Sequence, residues 1–346
     1  MVQVQTLNTL GLPARFSFGF MLVGILFGGW LYLGIPIIAA LFSYLALKKL
    51  QLKPSMNRWY ATALFSVLLI GVLWLLGNFV NRTVKALPEI VQKVIPSVIE
   101  TAKRYQVELP FTDYDSMREV ALDTATSQVK YIGSFARFAQ STSKQFLLLI
   151  VGCIAAIGFF LNPQLELKSP RPKPPNNLYS LCCAELLARF ATFYRSFATV
   201  MGAQIIISTI NTCLTAIFVA AVGLPYAAVV IGVTFLCGMI PVLGNLISNT
   251  IIVSIGFTVS PGMALLALGF LIVIHKLEYF LNSQIIGNRI EYPLWATLLG
   301  IVVGERLMGV PGMILAPVIL HYIKSETTAL TVEDDAHHQV NSNNPS

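Results

Sequence analysis

Two runs of this sequence are apolar enough to lie in a membrane, yet both are broken by proline and glycine where a membrane helix would have to continue. The first reads Ile240-Pro241-Val242-Leu243-Gly244-Asn245 and the second Gly304-Glu305-Arg306-Leu307-Met308-Gly309-Val310-Pro311-Gly312-Met313-Ile314-Leu315-Ala316-Pro317. A bilayer core offers no water to the backbone groups that such breaks release, so they are tolerated only where protein or a wet cavity satisfies them. Paired, interrupted, short hydrophobic segments are the best sequence pointer to a secondary transporter's binding site. Composition agrees: 55% of residues are hydrophobic and 11% charged, against about 25% charged in a soluble domain. The expected fold class is all-α, a polytopic membrane protein of about eight hydrophobic helices that include two broken or re-entrant hairpins, with amphipathic outer helices added.

The net charge of +7 does not point to nucleic acid, because the basic residues gather beside hydrophobic spans, where membrane topology explains them. The 5 cysteines show no metal-ligand spacing and read as small packing residues, with neither a disulfide framework nor a metal. There is no GxxxxGK[ST] phosphate loop, no HExxH zinc pair and no intramembrane aspartate, so no cofactor and no enzyme activity are expected.

Phe16 to Leu33 reads as an uncleaved first span, paired with Ile35 to Leu47 across Gly34 and Pro36; with the basic loop that follows, it makes an N-terminal segment 1–59. That loop carries Lys48, Lys49, Lys53 and Arg58 with no acid, which places it and both termini in the cytoplasm. Segment 60–162 holds two spans that flank an extracytoplasmic stretch, 81–145, whose apolar positions Leu87, Ile90, Val91, Val94, Ile95 and Val98 recur at helical spacing. Pro88 suits the first turn of a new helix there and Pro96 a kink, and the stretch reads as a membrane-surface spacer or oligomer contact rather than a gate. The proline-rich, basic stretch from Asn162 to Asn177 predicts a stiff cytoplasmic linker, so that 163–199 combines this linker with an amphipathic helix along the inner face. A C-terminal transport core is expected over 200–324, and a disordered cytoplasmic tail over 325–346.

Within that core, Gln204, Ser208, Asn211 and Thr215 recur at steps that put them on one helix face, as interhelical hydrogen-bonding groups or as the lining of a polar pathway. Pro241, Gly244, Asn245 and Asn249 accompany the first break. His275, Glu278 and Asn282 share a face of the following span, and ionisable groups inside a membrane are functional candidates because burying them is costly. Glu305, Arg306, Gly309, Pro311, Gly312 and Pro317 mark the second break; Glu305 at its tip is expected either to pair with Arg306 or to be neutralised. The expected partners are the lipid bilayer and a small polar solute or a monovalent cation.

The pieces Pro241-Val242-Leu243-Gly244, Ile286-Gly287 with Pro293-Leu294, and Gly309-Val310-Pro311-Gly312-Met313-Ile314-Leu315-Ala316-Pro317, with the order of spans around them, resemble the autoinducer-2 exporter family over most of residues 16 to 324. The chain departs from that pattern at Ser283, where members usually have proline, and at Glu305, where a glycine is common. The resemblance implies a bacterial or archaeal cell-membrane transporter and a homo-oligomer. It implies two transport chemistries, export of a neutral, hydroxyl-rich signalling molecule such as autoinducer-2 and sodium/proton antiport.

Overall fold

In the computed structural model, residues 5–6, 11–52, 57–104, 144–162, 177–241, 243–285 and 293–331 are described. Among them the regular structure is helical, apart from a two-residue parallel pairing of β1 (Gln5–Thr6) with β2 (Leu330–Thr331). The helices are α1 (Leu12–Trp30), α2 (Gly34–Leu50), α3 (Arg58–Arg104), α4 (Lys144–Leu161), α5 (Leu178–Val222), α6 (Ala227–Gly238), α7 (Leu243–Phe257), α8 (Pro261–Ile285), α9 (Leu294–Met308) and α10 (Val310–Thr328). Five of the described helices are long and apolar enough to cross a membrane: α1, the Arg58–Ala86 part of α3, α4, α5 and the Pro261–Glu278 part of α8. The all-α polytopic class expected from the breaks and the composition is the observed one.

The chain divides into two compact units. One holds Met1–Gly34, Asn162–Val200 and Tyr292–Ser346; the other holds Ile35–Leu161 and Met201–Glu291. The stretch 200–324, expected as a single core, is therefore cut at Tyr292, and α1 and α2 fall to different units. The turn between those two helices uses Tyr32 in the left-handed region, φ 54°, and Gly34 is the first residue of α2 rather than part of the break.

In the second unit, Leu47 of α2, Ala61 and Phe65 of α3 and Phe160 of α4 form one buried cluster. Arg58 opens α3 by donating to the carbonyls of Phe160 (3.1 Å) and Leu161 (3.2 Å), so the cation sits at the negative C-terminal end of α4. A larger cluster joins Val219 of α5 and Leu224 in the turn after it to Val230 of α6, Ile252 and Ile255 of α7, and Ala267 and Leu271 of α8. Phe218 of α5 stacks on Phe270 of α8 with ring centroids 4.1 Å apart. Ser260 caps α8 by accepting the Met263 N–H at 3.1 Å, with Pro261 next to it.

Three expectations are corrected here. No new helix starts at Pro88: both Pro88 and Pro96 lie inside α3, which runs unbroken for 47 residues. Its far half packs within the chain: Ile90 is buried, and Ala86 and Val94 lie against the α5–α8 cluster. That packing offsets the hydrogen bonds that the two prolines remove. The Lys93 ammonium donates to Glu89 at 2.8 Å and to the Tyr226 hydroxyl at 3.4 Å, tying this half of α3 to the α5–α6 turn. That bond, with a further one from Tyr226, holds the Glu89 carboxyl below its ordinary range. Likewise, the amphipathic helix from Leu178 and the span from Val200 are one helix, α5, because no proline interrupts its 45 residues; at about 68 Å it is longer than a hydrocarbon core of roughly 30 Å. Finally, residues 325–328 are not a tail but the last turn of α10. Lys53, the rest of the outer stretch (105–143), the linker 163–176 and the segment 332–346 lie outside the described residues.

In the first unit, α9 and α10 form a hairpin turned at Gly309, whose φ of 67° and ψ of −148° suit glycine. Their backbones touch at Gly304 and Gly312: a Cβ on Gly312 would lie 1.8 Å from the Gly304 carbonyl oxygen, and one on Gly304 2.3 Å from that of Gly312.

Candidate functional site

The short helix α6 has 12 residues and stops at the first break, about 18 Å of helix. The last four carbonyls of any helix lack intrahelical partners, and in a membrane each must find one. Here all four do. Leu236 O accepts Met239 N–H at 3.3 Å and Cys237 O accepts Ile240 N–H at 2.8 Å. Phe235 O accepts from the Ser208 hydroxyl at 2.8 Å and Gly238 O from the Gln204 amide at 2.5 Å. Two members of the polar stripe on α5 thus complete the end of the broken helix, with Ser208 1% exposed.

The next residue of that stripe does something different. Asn211 is 5% exposed; its amide donates to a Glu278 carboxylate oxygen of α8 at 3.5 Å, and the Asn245 amide of α7 donates to the same oxygen at 2.5 Å. A carboxylate only accepts, so Asn211 must turn its NH2 toward Glu278, and its own carbonyl oxygen is left buried without a partner among the described residues. Buried polar atoms are rarely left so. Glu278 itself is half-buried.

Gly244, in the first turn of α7, permits this convergence. Its N–H donates to Ile240 O at 3.1 Å, and a Cβ there would lie 1.6 Å from the Cys237 carbonyl oxygen, so only glycine lets α7 start against the end of α6. The result is two neutral amides, one from α5 and one from α7, that converge on one carboxylate of α8, with the end of α6 against the start of α7. Such a cluster can hydrogen-bond the hydroxyls of a small polar solute, and its carboxylate can accept a proton or a monovalent cation.

The other sequence candidates fall at its margin or elsewhere. Pro241 is half-buried at the break; Asn249, one turn beyond Asn245, is half-buried and makes no hydrogen bond among the described residues. Thr215 is 1% exposed and takes no part in the carboxylate contacts. His275 is exposed although it shares a helix with Glu278, and the side chain of Asn282 lies outside the described residues. Glu305 and Arg306 are both exposed in the last turn of α9, and no ion pair joins them among the described residues, so the expected pairing at a buried tip is not what the hairpin contains. Pro311 is the second residue of α10 and Pro317 lies inside it.

A second polar centre, in the first unit, was not foreseen. Arg189 of α5 pairs with Glu326 of α10 and, at 3.2 Å, with Glu185 one turn earlier, and its guanidinium lies 4.2 Å from the centre of the Phe18 ring of α1. Glu326 is 5% exposed. Its signal in the sequence was partial: Glu185 and Arg189 stand four apart on a helix, a favourable spacing, but Glu326 was assigned to a tail.

The sequence profile of a family described as "AI-2E family transporter" matches residues 16–331. The chain is also similar to a protein of Bacillus subtilis (strain 168) that bears the name "Putative transport protein YdbI", with 24% identity over 329 residues covering 92% of this chain and 93% of that one.

Proposed function

This chain belongs to the AI-2E family of membrane transporters, and we propose that it is a secondary transporter that exports a small polar solute, such as a quorum-sensing signal of the autoinducer-2 kind, through the α5–α8 layer. The observation that carries this reading is the convergence of the Asn211 and Asn245 amides on Glu278 beside the end of α6. Neutral amides able to donate and accept hydrogen bonds suit a hydroxyl-rich solute. Asn211 has in addition a buried acceptor with no protein partner among the described residues, an unmet group that a solute hydroxyl would satisfy.

A second reading, sodium or another monovalent cation exchanged for protons, is favoured by one specific feature: the group on which the amides converge is a titratable carboxylate. In either case the protein would sit in the cell membrane of a bacterium or archaeon with both termini in the cytoplasm, as a homo-oligomer. The experiment that separates the readings is flux into proteoliposomes under imposed sodium and proton gradients, with a panel of polar solutes. Solute uptake that survives Glu278→Gln supports the first; cation exchange lost in that variant, with no solute moved, supports the second.

A further inference from the structure

A groove of about 740 Å3 lies between the second half of the α3 span and α6, walled by Val72, Leu75 and Phe79 on one side and Ile231 and Leu236 on the other, with Asn78 and Arg82 also bordering it. We propose that this groove is a binding site for an anionic phospholipid, an acyl chain lying along the apolar wall and the phosphate held by Arg82. The proposal does not depend on which solute or ion the chain transports.

The wall belongs to the most apolar of the candidate spans, of which only 6% is buried within the protein, so its surface meets lipid. From Val72 to Arg82 the lining of α3 covers about 15 Å, half of a hydrocarbon core of roughly 30 Å. With the Arg58–Ala86 span centred in the bilayer, the groove would run the depth of one leaflet and Arg82 would stand at the level where headgroups begin. Asn78 precedes Arg82 by one helical turn, on the same face. Arg82 is exposed and has no ion pair among the described residues. A guanidinium at a membrane interface, with its stem on apolar surface, matches phosphate oxygens in charge and in geometry. Phe235 also borders the groove, while its carbonyl accepts the Ser208 bond that completes α6. A bound lipid would therefore bear on a helix whose end abuts the start of α7, next to Asn245.

The test uses the full chain purified in mild detergent and mixed with equal amounts of phosphatidylglycerol and phosphatidylcholine of identical acyl chains, the retained lipid being counted by native mass spectrometry. The wild type should retain phosphatidylglycerol over phosphatidylcholine by about fivefold, the preference expected of one basic residue at an anionic headgroup. Arg82→Gln, a change at an exposed position, should bring the two lipids to parity. Ile231→Trp, which fills the groove, should lower retention of both, with helical content by circular dichroism unchanged. Equal retention by the wild type, an undiminished preference in Arg82→Gln, or full lipid retention in Ile231→Trp would each overturn the assignment. A variant that keeps its lipid but loses an oligomeric mass would instead give the groove to a second copy of the chain.

Discussion

Gly244 is the residue at which the candidate site is most sensitive to a single atom. Since a Cβ would collide with the Cys237 carbonyl, Gly244→Leu must separate the start of α7 from the end of α6 and carry Asn245 away from Glu278. Flux should be abolished while the protein still inserts and purifies; normal flux in this variant would remove the α6–α7 break from the pathway. At Arg189 the argument is one of stability. The pair with Glu326 is buried, the two side chains being 15% and 6% exposed. Removing only one partner of a buried pair leaves an uncompensated charge at a cost of about 3–5 kcal/mol, whereas replacing both with apolar residues is often neutral or stabilising. Arg189→Met should therefore lower the unfolding midpoint in detergent sharply, and Arg189→Met combined with Glu326→Met should recover most of the loss. Equal destabilisation by the single and the double variant would show that the pair is not the source.

At the scale of elements, the α9–α10 hairpin rests on backbone contact. Gly312→Ala places a methyl group against the Gly304 carbonyl and should cost about 1–3 kcal/mol, as overpacking does. Gly269→Ala, where a Cβ meets nothing within 4 Å, should stay within about 0.5 kcal/mol of wild type or stabilise the helix slightly. Thermal unfolding of the two variants side by side reads the difference, and similar behaviour would mean that the hairpin does not depend on this approach. The existence of these elements was legible in the sequence because Pro and Gly interrupt long apolar runs at Ile240–Asn245 and Gly309–Gly312. The polar stripe was legible from spacing, but not its division of labour: Gln204 and Ser208 complete α6 while Asn211 addresses Glu278, and only the position of another helix's carbonyls separates these roles. The continuity of α3 and α5 was not legible. Local signals at Pro88 argue for a helix start, and what overrides them is the packing of Ile90 and Val94 on a core formed by residues more than a hundred positions away. Glu326 was missed for a similar reason, since its partner Arg189 is remote in sequence.

For the whole molecule, the proposed orientation, with the basic loop after α2 in the cytoplasm, would put Asn81 to Lys144 outside. A cysteine at Asp113 should label with an impermeant reagent in intact cells and one at Lys53 should not; the reverse pattern would invert the topology. The central claim is that transport passes through the amides and carboxylate that converge from α5, α7 and α8. It is tested most directly by flux in proteoliposomes under sodium and proton gradients for the wild type, Asn211→Leu and Glu278→Gln together. The account predicts that Asn211→Leu loses solute flux, and that Glu278→Gln removes the pH dependence of any coupled ion movement while the protein stays folded. Unchanged flux in Asn211→Leu, with proton-coupled exchange intact in Glu278→Gln, would contradict it.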